Sequence, residues 1–103
     1  MSINWSTFSK KMLIEIYTHY SDISNEKIAQ RLVDGIVDEV ELLKDQPLIG
    51  QIELNLNDRT KQFKYLIFKS YKIIYWINSE SNQVEIVDVF DARQNPDKLS
   101  RNR

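Results

Sequence analysis

Lys64, Lys69 and Lys72 alternate with Phe63, Tyr65, Phe68, Tyr71 and Trp76 in one short stretch of the chain. Flat aromatic faces interleaved with ammonium groups suit two kinds of contact. Single-stranded RNA is held by stacking its bases on aromatic rings while cations meet its phosphates. A peptide partner docks on the same kind of face. The third reading is a dimer or partner surface on which the lysines are incidental. Other chemistries are poorly supplied. There is no cysteine and one histidine, His19, so a structural zinc site is not expected. The only glycines are Gly35 and Gly50, so no phosphate-cradling loop is present. No nucleophile–base pair stands out, and no cofactor is expected. His19 reads as a surface residue near a helix C-terminus, where positive charge is mildly favourable, rather than as a catalyst. Any catalysis has to run on Lys, Arg, Tyr, Glu or Asp. Cleavage of a phosphodiester by the neighbouring ribose 2′-OH is one such reaction: one group takes the proton, and Arg or Lys stabilises the charge on phosphorus.

The elements that hold these groups are legible in the apolar pattern. Three runs rich in Tyr, Phe, Trp, Ile and Val predict consecutive antiparallel strands over Phe63–Phe68, Tyr71–Asn78 and Val84–Asp91. On the middle strand Tyr71, Ile73, Tyr75 and Ile77 share one face, and Lys72, Ile74, Trp76 and Asn78 share the other. One face has to meet helices; the other is expected to stay open and to display the aromatic and basic groups. Ser2–Trp5 predicts a brief first strand, followed by a cap at Ser6 or Thr7. Phe8, Met12, Leu13, Ile16, Tyr17 and Tyr20 recur at spacings of three and four, which predicts a helix from Thr7 to about Asp22. Ser24 is the expected cap of a second helix over about Asn25 to Asp45, with Ile23 and Ile28 as a hydrophobic staple. Its buried stripe is Ile28, Ala29, Leu32, Val33, Ile36, Val37, Val40 and Leu43. So short a joint predicts an antiparallel helical hairpin. Gln46–Gly50 ends it, since Pro47 cannot continue a helix. Residues 51–62 read as an edge strand or an extended loop, with Ile52, Leu54 and Leu56 alternating. After the last strand come a turn, a final helical turn reaching Leu99, and a frayed end. The expected core is Trp5, Phe8, Leu32, Ile36, Val40, Ile73, Tyr75, Ile86 and Val87.

Length and charge bound the rest. A chain of 103 residues with 42% apolar content suits one domain spanning 1–103. No run approaches the roughly 20 apolar residues of a membrane span, so a soluble cytoplasmic protein is expected. The net charge of −1 hides a division: residues 1–58 carry ten acidic and five basic side chains, and residues 59–103 carry five acidic and nine basic. A basic sheet-and-tail half favours a phosphate backbone or an acidic peptide as partner, or reflects only segregated solvated charge. Asp34, Asp38, Glu39, Glu41 and Asp45 form an acidic outer face on the second helix, which serves solubility.

The order of strand, helical hairpin, Pro47-Leu48-Ile49-Gly50 and a meander carrying Tyr71-Lys72-Ile73-Ile74-Tyr75 resembles the RelE/ParE family of bacterial toxins. The closing segment Val89-Phe90-Asp91-Ala92-Arg93-Gln94-Asn95-Pro96 is similar to that family's last strand and basic Arg-x-x-Pro-like extension. The resemblance spans about residues 3–99. It implies an α+β fold with the strand and helical hairpin packed on a C-terminal antiparallel meander. It implies the toxin of a type II toxin–antitoxin pair, associated with plasmid stabilisation and growth inhibition, and a cognate antitoxin as partner. RelE-like members cleave mRNA on the ribosome; ParE-like members block DNA gyrase and cut nothing. By position, Lys72 takes the place of the middle-strand arginine, Lys69 sits near another basic position, and Arg93 takes the basic place after the last strand. Asp91 stands where the ribonucleases often carry a histidine. The candidate catalytic set is therefore Lys69, Lys72, Asp91 and Arg93. The candidate partner- or nucleic-acid-binding set is Lys64, Lys69, Lys72, Trp76, Arg93 and Lys98. Lysine at 72 lacks the planar fork that arginine offers a phosphate. The missing histidine or tyrosine and the longer helical hairpin favour the ParE-like activity over the ribonuclease. A degenerate chain that only binds its antitoxin is the third alternative.

Overall fold

The computed structural model describes residues 1–54, 56 and 60–93. Its elements run β1 (Ser2–Trp5), α1 (Thr7–Ile23), α2 (Glu26–Glu41), a 3-10 turn (Leu42–Lys44), β2 (Gln51–Ile52), β3 (Lys64–Phe68), β4 (Tyr71–Asn78) and β5 (Gln83–Asp91). The strands form one sheet in the order β1-β5-β4-β3-β2. The meander β3–β5 is antiparallel as expected. The first strand makes the sheet mixed, since β1 lies parallel to β5 with Ile3 opposite Val84 and Trp5 opposite Ile86. The expected tail beyond Arg93, including Lys98 and the final helical turn, lies outside the described residues.

The helical hairpin covers one face of the sheet. Ser6 caps α1 by accepting a hydrogen bond from the Ser9 N–H at 3.0 Å. The buried Ser9 hydroxyl donates to the Ile86 carbonyl at 3.1 Å, which ties the start of α1 to β5. Asn25, not Ser24, caps α2: its side chain accepts from the Ile28 N–H at 2.9 Å. This one-residue shift removes Ile23 and Ile28 from the staple positions, and both stand exposed, at 65% and 44%. The α2 stripe therefore begins at Ala29 and continues through Leu32, Ile36 and Val40. The regular helix ends at Glu41 rather than Asp45, and the 3-10 turn carries Leu43 into the core. Gly35 has a packing role: a Cβ there would overlap the ring of Phe68 on β3, so the missing side chain lets helix and sheet close together.

The larger core lies between hairpin and sheet. It joins Leu32, Ile36, Val40 and Leu43 to Leu66, Tyr71, Ile73, Tyr75, Val84, Ile86 and Val89. Trp5 packs at its margin, half-buried, and Phe8 is also half-buried. Strict alternation along β5 would put Val84, Ile86, Asp88 and Phe90 on one face. The register slips between Ile74 and Tyr75, which sit opposite Asp88 and Ile86 respectively, so Val87 is the extra residue of a bulge. The bulge lets Ile86 and Val89 both face the helices. It sends Val87, expected in the main core, to a smaller cluster on the other face.

That other face is not open. Ile74 and Phe90 are buried there, with Leu56, Phe63, Tyr65 and Val87 packed against them. The cover comes from the stretch between β2 and β3. Gln51–Ile52 just before it form a strand against Tyr65 and Lys64, and the Glu53 N–H donates to the Phe63 carbonyl at 2.8 Å. Ile52 and Leu54 point to solvent, so their alternation does not mark a buried strand face.

Candidate functional site

The sheet divides the expected site residues between its two sides. Lys72 lies opposite Phe90 on the covered side, where its ammonium pairs with the buried Glu53 carboxylate at 2.5 Å. The same ammonium sits 4.1 Å from the centre of the Tyr65 ring. With its side chain only 18% exposed, Lys72 is a counter-ion of the smaller cluster rather than a displayed cation. Trp76 shares this side of β4 by alternation, and the Lys61 ammonium lies 5.0 Å over its ring. Lys64 is turned toward the loop before β2, donating to the Gly50 carbonyl at 3.4 Å.

Asp91 and Arg93 belong to the other side. Asp91 is paired with Tyr71 in the β4–β5 register, and Tyr71 faces the helices. The Asp91 carboxylate accepts three bonds from Arg93: the backbone N–H at 3.0 Å, Nε at 3.1 Å and Nη2 at 2.8 Å. The first closes a side-chain turn just past the strand, and the other two make a bidentate pair. The Arg93 guanidinium holds the Asp91 carboxyl below its ordinary value, despite an opposing push from burial. Asp91 in return raises the Arg93 pKa. Tyr71, buried under the end of α1, keeps its proton far into alkali, first through burial and then through a hydrogen bond with Tyr20. The Tyr20 ring meets His19 edge-on at 5.0 Å.

Lys69 occupies the same end of the sheet. The Ala92 N–H donates to the Ser70 carbonyl at 2.8 Å, so Lys69 and Arg93 flank a single backbone bond. The Lys69 ammonium lies 5.7 Å from the Phe68 ring centre, on a residue that packs against the helix-side core. The structure therefore brings together Lys69, Asp91 and Arg93, and adds Tyr20, Ser70 and Tyr71. It does not bring Lys72 to them. Strand alternation separates it, because neighbours on β4 face opposite ways.

A third feature explains the Pro47–Gly50 turn. The fully buried Tyr75 receives the Gly50 N–H at 3.0 Å and donates its hydroxyl to the Pro47 carbonyl at 2.8 Å. A Cβ at Gly50 would strike the Tyr75 phenol, so glycine is required by close approach. Burial pushes the Tyr75 phenol up, against the bond from Gly50.

Tyr20, Glu53 and Ser70 were not singled out as functional by sequence. Tyr20 was visible only as an apolar position of α1. Glu53 lies in an irregular stretch with no periodicity to place it. Ser70 had one signal, its place in the two-residue break between strands.

Set against known proteins, this architecture has relatives. The family described as "ParE toxin of type II toxin-antitoxin system, parDE" matches residues 3–96. Among solved structures, a chain of the chromosomal ParDE TA system from P. aeruginosa superposes with a TM-score of 0.70. The match is at 19% identity and covers 88% of this chain and 95% of that one, which bears on the fold alone. A search of curated sequences gave no match.

Proposed function

This chain belongs to the family of ParE toxins of the parDE type II toxin–antitoxin system, and from that premise we propose that it arrests growth by binding a protein target such as DNA gyrase, under the control of a cognate antitoxin. No helix among the described residues is long and apolar enough to cross a membrane, and the action proposed here is that of a cytoplasmic protein. The observation that supports binding over RNA cleavage is the division of the cations. Cleavage by a 2′-OH needs a proton acceptor and a charge-stabilising cation at one phosphate. Lys72 is neutralised by Glu53 on one side of the sheet. Asp91, on the other side, is a weak base because Arg93 lowers its pKa. Tyr71 beside it is a reluctant acid. The set Lys69, Lys72, Asp91 and Arg93 thus offers no cationic site with a competent base.

The test is a supercoiling assay with purified gyrase and purified toxin. Loss of supercoiling at saturating toxin, reversed by the protein encoded beside it, is the expected result. Full supercoiling together with cleaved transcripts on translating ribosomes replaces this reading with the ribonuclease. Full supercoiling with no growth arrest on expression leaves a chain that only binds its antitoxin.

A further inference from the structure

We infer that the end of the sheet formed by Lys69, Asp91 and Arg93 is a recognition point for a single carboxylate presented by an acidic segment of a protein partner, with Asp91 as the residue that positions Arg93. The inference rests on the reading of this chain as one that acts by protein contact, and it names the chemistry of that contact.

Two observations carry it. The first is the state of Arg93. Its side chain is 70% exposed, yet its direction is fixed, because Nε and Nη2 are both bound to a carboxylate that is itself nearly buried. A planar guanidinium pinned along one edge keeps its other edge for a second acceptor, and among the described residues no second acceptor appears. An exposed arginine without a task is usually left free to sample rotamers; here that freedom has been removed in advance, which lowers the entropic cost of a contact. The second observation is Lys69, whose φ is 54°. The chain's other positive-φ residue among those described is Asn82, in the β4–β5 turn, where asparagine is a residue that tolerates the left-handed region. Lysine has no such tolerance, and glycine or asparagine at position 69 would suit the turn better. The strained lysine sits across one backbone hydrogen bond from Arg93. The two-residue turn between β3 and β4 asks for a left-handed first position, so lysine is held there at some cost to stability, beside Arg93.

Carboxylate is favoured over a nucleic-acid backbone by the count of displayed charges. Lys69 and Arg93 against Asp91 leave one unit of positive charge, which matches one carboxylate. A phosphate track needs a row of free cations. On the sheet and the stretch leading into it, Lys72 is paired with Glu53, Lys61 lies over Trp76 and Lys64 is bound to Gly50, so these three do not extend one.

The experiment uses the full chain and two probes that each carry six negative charges, a hexaglutamate peptide with both ends capped and a heptathymidylate oligonucleotide without terminal phosphate. Binding is followed by fluorescence anisotropy at two salt concentrations and by the NMR signal of the Arg93 Nε–H. Expected is peptide binding that weakens with salt, falls roughly fivefold in Arg93→Ala and shifts the Arg93 signal. Asp91→Asn weakens binding and broadens the Arg93 signal, while Asp91→Glu restores part of both. Lys69→Gly raises the melting temperature and lowers peptide affinity, a combination that a purely structural lysine would not produce. Arg93 is exposed, so Arg93→Ala remains folded and informative whatever the Asp91 variants do. Unchanged peptide affinity in Arg93→Ala overturns the inference. So does tighter, Arg93-dependent binding of the oligonucleotide, which makes phosphate the ligand. Neither readout involves gyrase, so failure here and failure of the supercoiling test are separate results.

Discussion

Ile73 and Ile74 are adjacent, both are fully buried, and they belong to different molecules in the energetic sense. Ile73 enters the core shared with the helical hairpin; Ile74 enters the small cluster under the β2–β3 connection. The first holds no charged side chain among its buried members and was written in the sequence by two matching periodicities, that of α2 and that of β4. The second mixes apolar side chains with an ion pair on the buried Glu53, and among the described residues of the β2–β3 connection Leu56 and Phe63 pack on it. One strand thus separates a face held by pattern from a face held by particular pairings. The same separation decides the functional reading, because Lys72 goes with Ile74, and Asp91 and Arg93 go with Ile73's side.

That contrast is sharpened first by Ile73→Ala, which should cost about 4 kcal/mol in urea unfolding, against about 2 for Ile74→Ala, since the smaller cluster collapses more easily on the cavity. Equal losses would mean that the two clusters behave as one core. Next is the ion pair. Lys72→Ala removes the cation from beside the buried Glu53 carboxylate and should cost roughly 3 kcal/mol, whereas Lys72→Met combined with Glu53→Gln should cost well under half of that. A double variant as damaged as the single would show that the charges themselves hold the cover in place.

The helix-side face was legible for a reason the variants expose. Stripes such as Leu32, Ile36 and Val40, and alternations such as Ile73 and Tyr75, report burial directly because each element has a fixed period. The other face escaped because its cover has no period, and Glu53 is found only in three dimensions. The β5 bulge escaped too: Val84–Phe90 is apolar or acidic at every step, so nothing in the sequence marks Val87 as the extra residue. The choice of Asn25 over Ser24 as cap was closer to chance, since either side chain serves. At the site, Asp91 and Arg93 were reachable through the family-like closing segment and Lys69 through its basic place on the meander, but their separation from Lys72 depended on strand faces and on the bulge. Tyr75 was expected only as core; its hydroxyl also fixes the Pro47–Gly50 turn.

Smaller effects follow. Tyr75→Phe removes both bonds to that turn and should cost about 1–2 kcal/mol while leaving far-ultraviolet dichroism intact. No loss would mean that the turn holds itself. Smallest at neutral pH is the linkage at the end of the sheet. Asp91 titrates below its ordinary value of 3.8 when folded, so its contribution is complete above that value and fades as pH falls through the lower folded pKa. Stability measured from pH 6 to pH 2 should drop less steeply in Asp91→Asn. Tyr71 gives the opposite limb: its folded pKa is raised, so its contribution is complete below the ordinary value of 10 and fades above it, and Tyr71→Phe should flatten the alkaline side.

The most direct measurement compares growth arrest on induced expression of two folded variants, Arg93→Ala and the charge-free pair Lys72→Met with Glu53→Gln. If the helix-side end of the sheet carries the contact and the covered face serves only stability, the paired variant still arrests growth and Arg93→Ala arrests it weakly. Full arrest by Arg93→Ala, with arrest lost in the stably folded paired variant, would place the active surface on the Lys72 side and contradict the account.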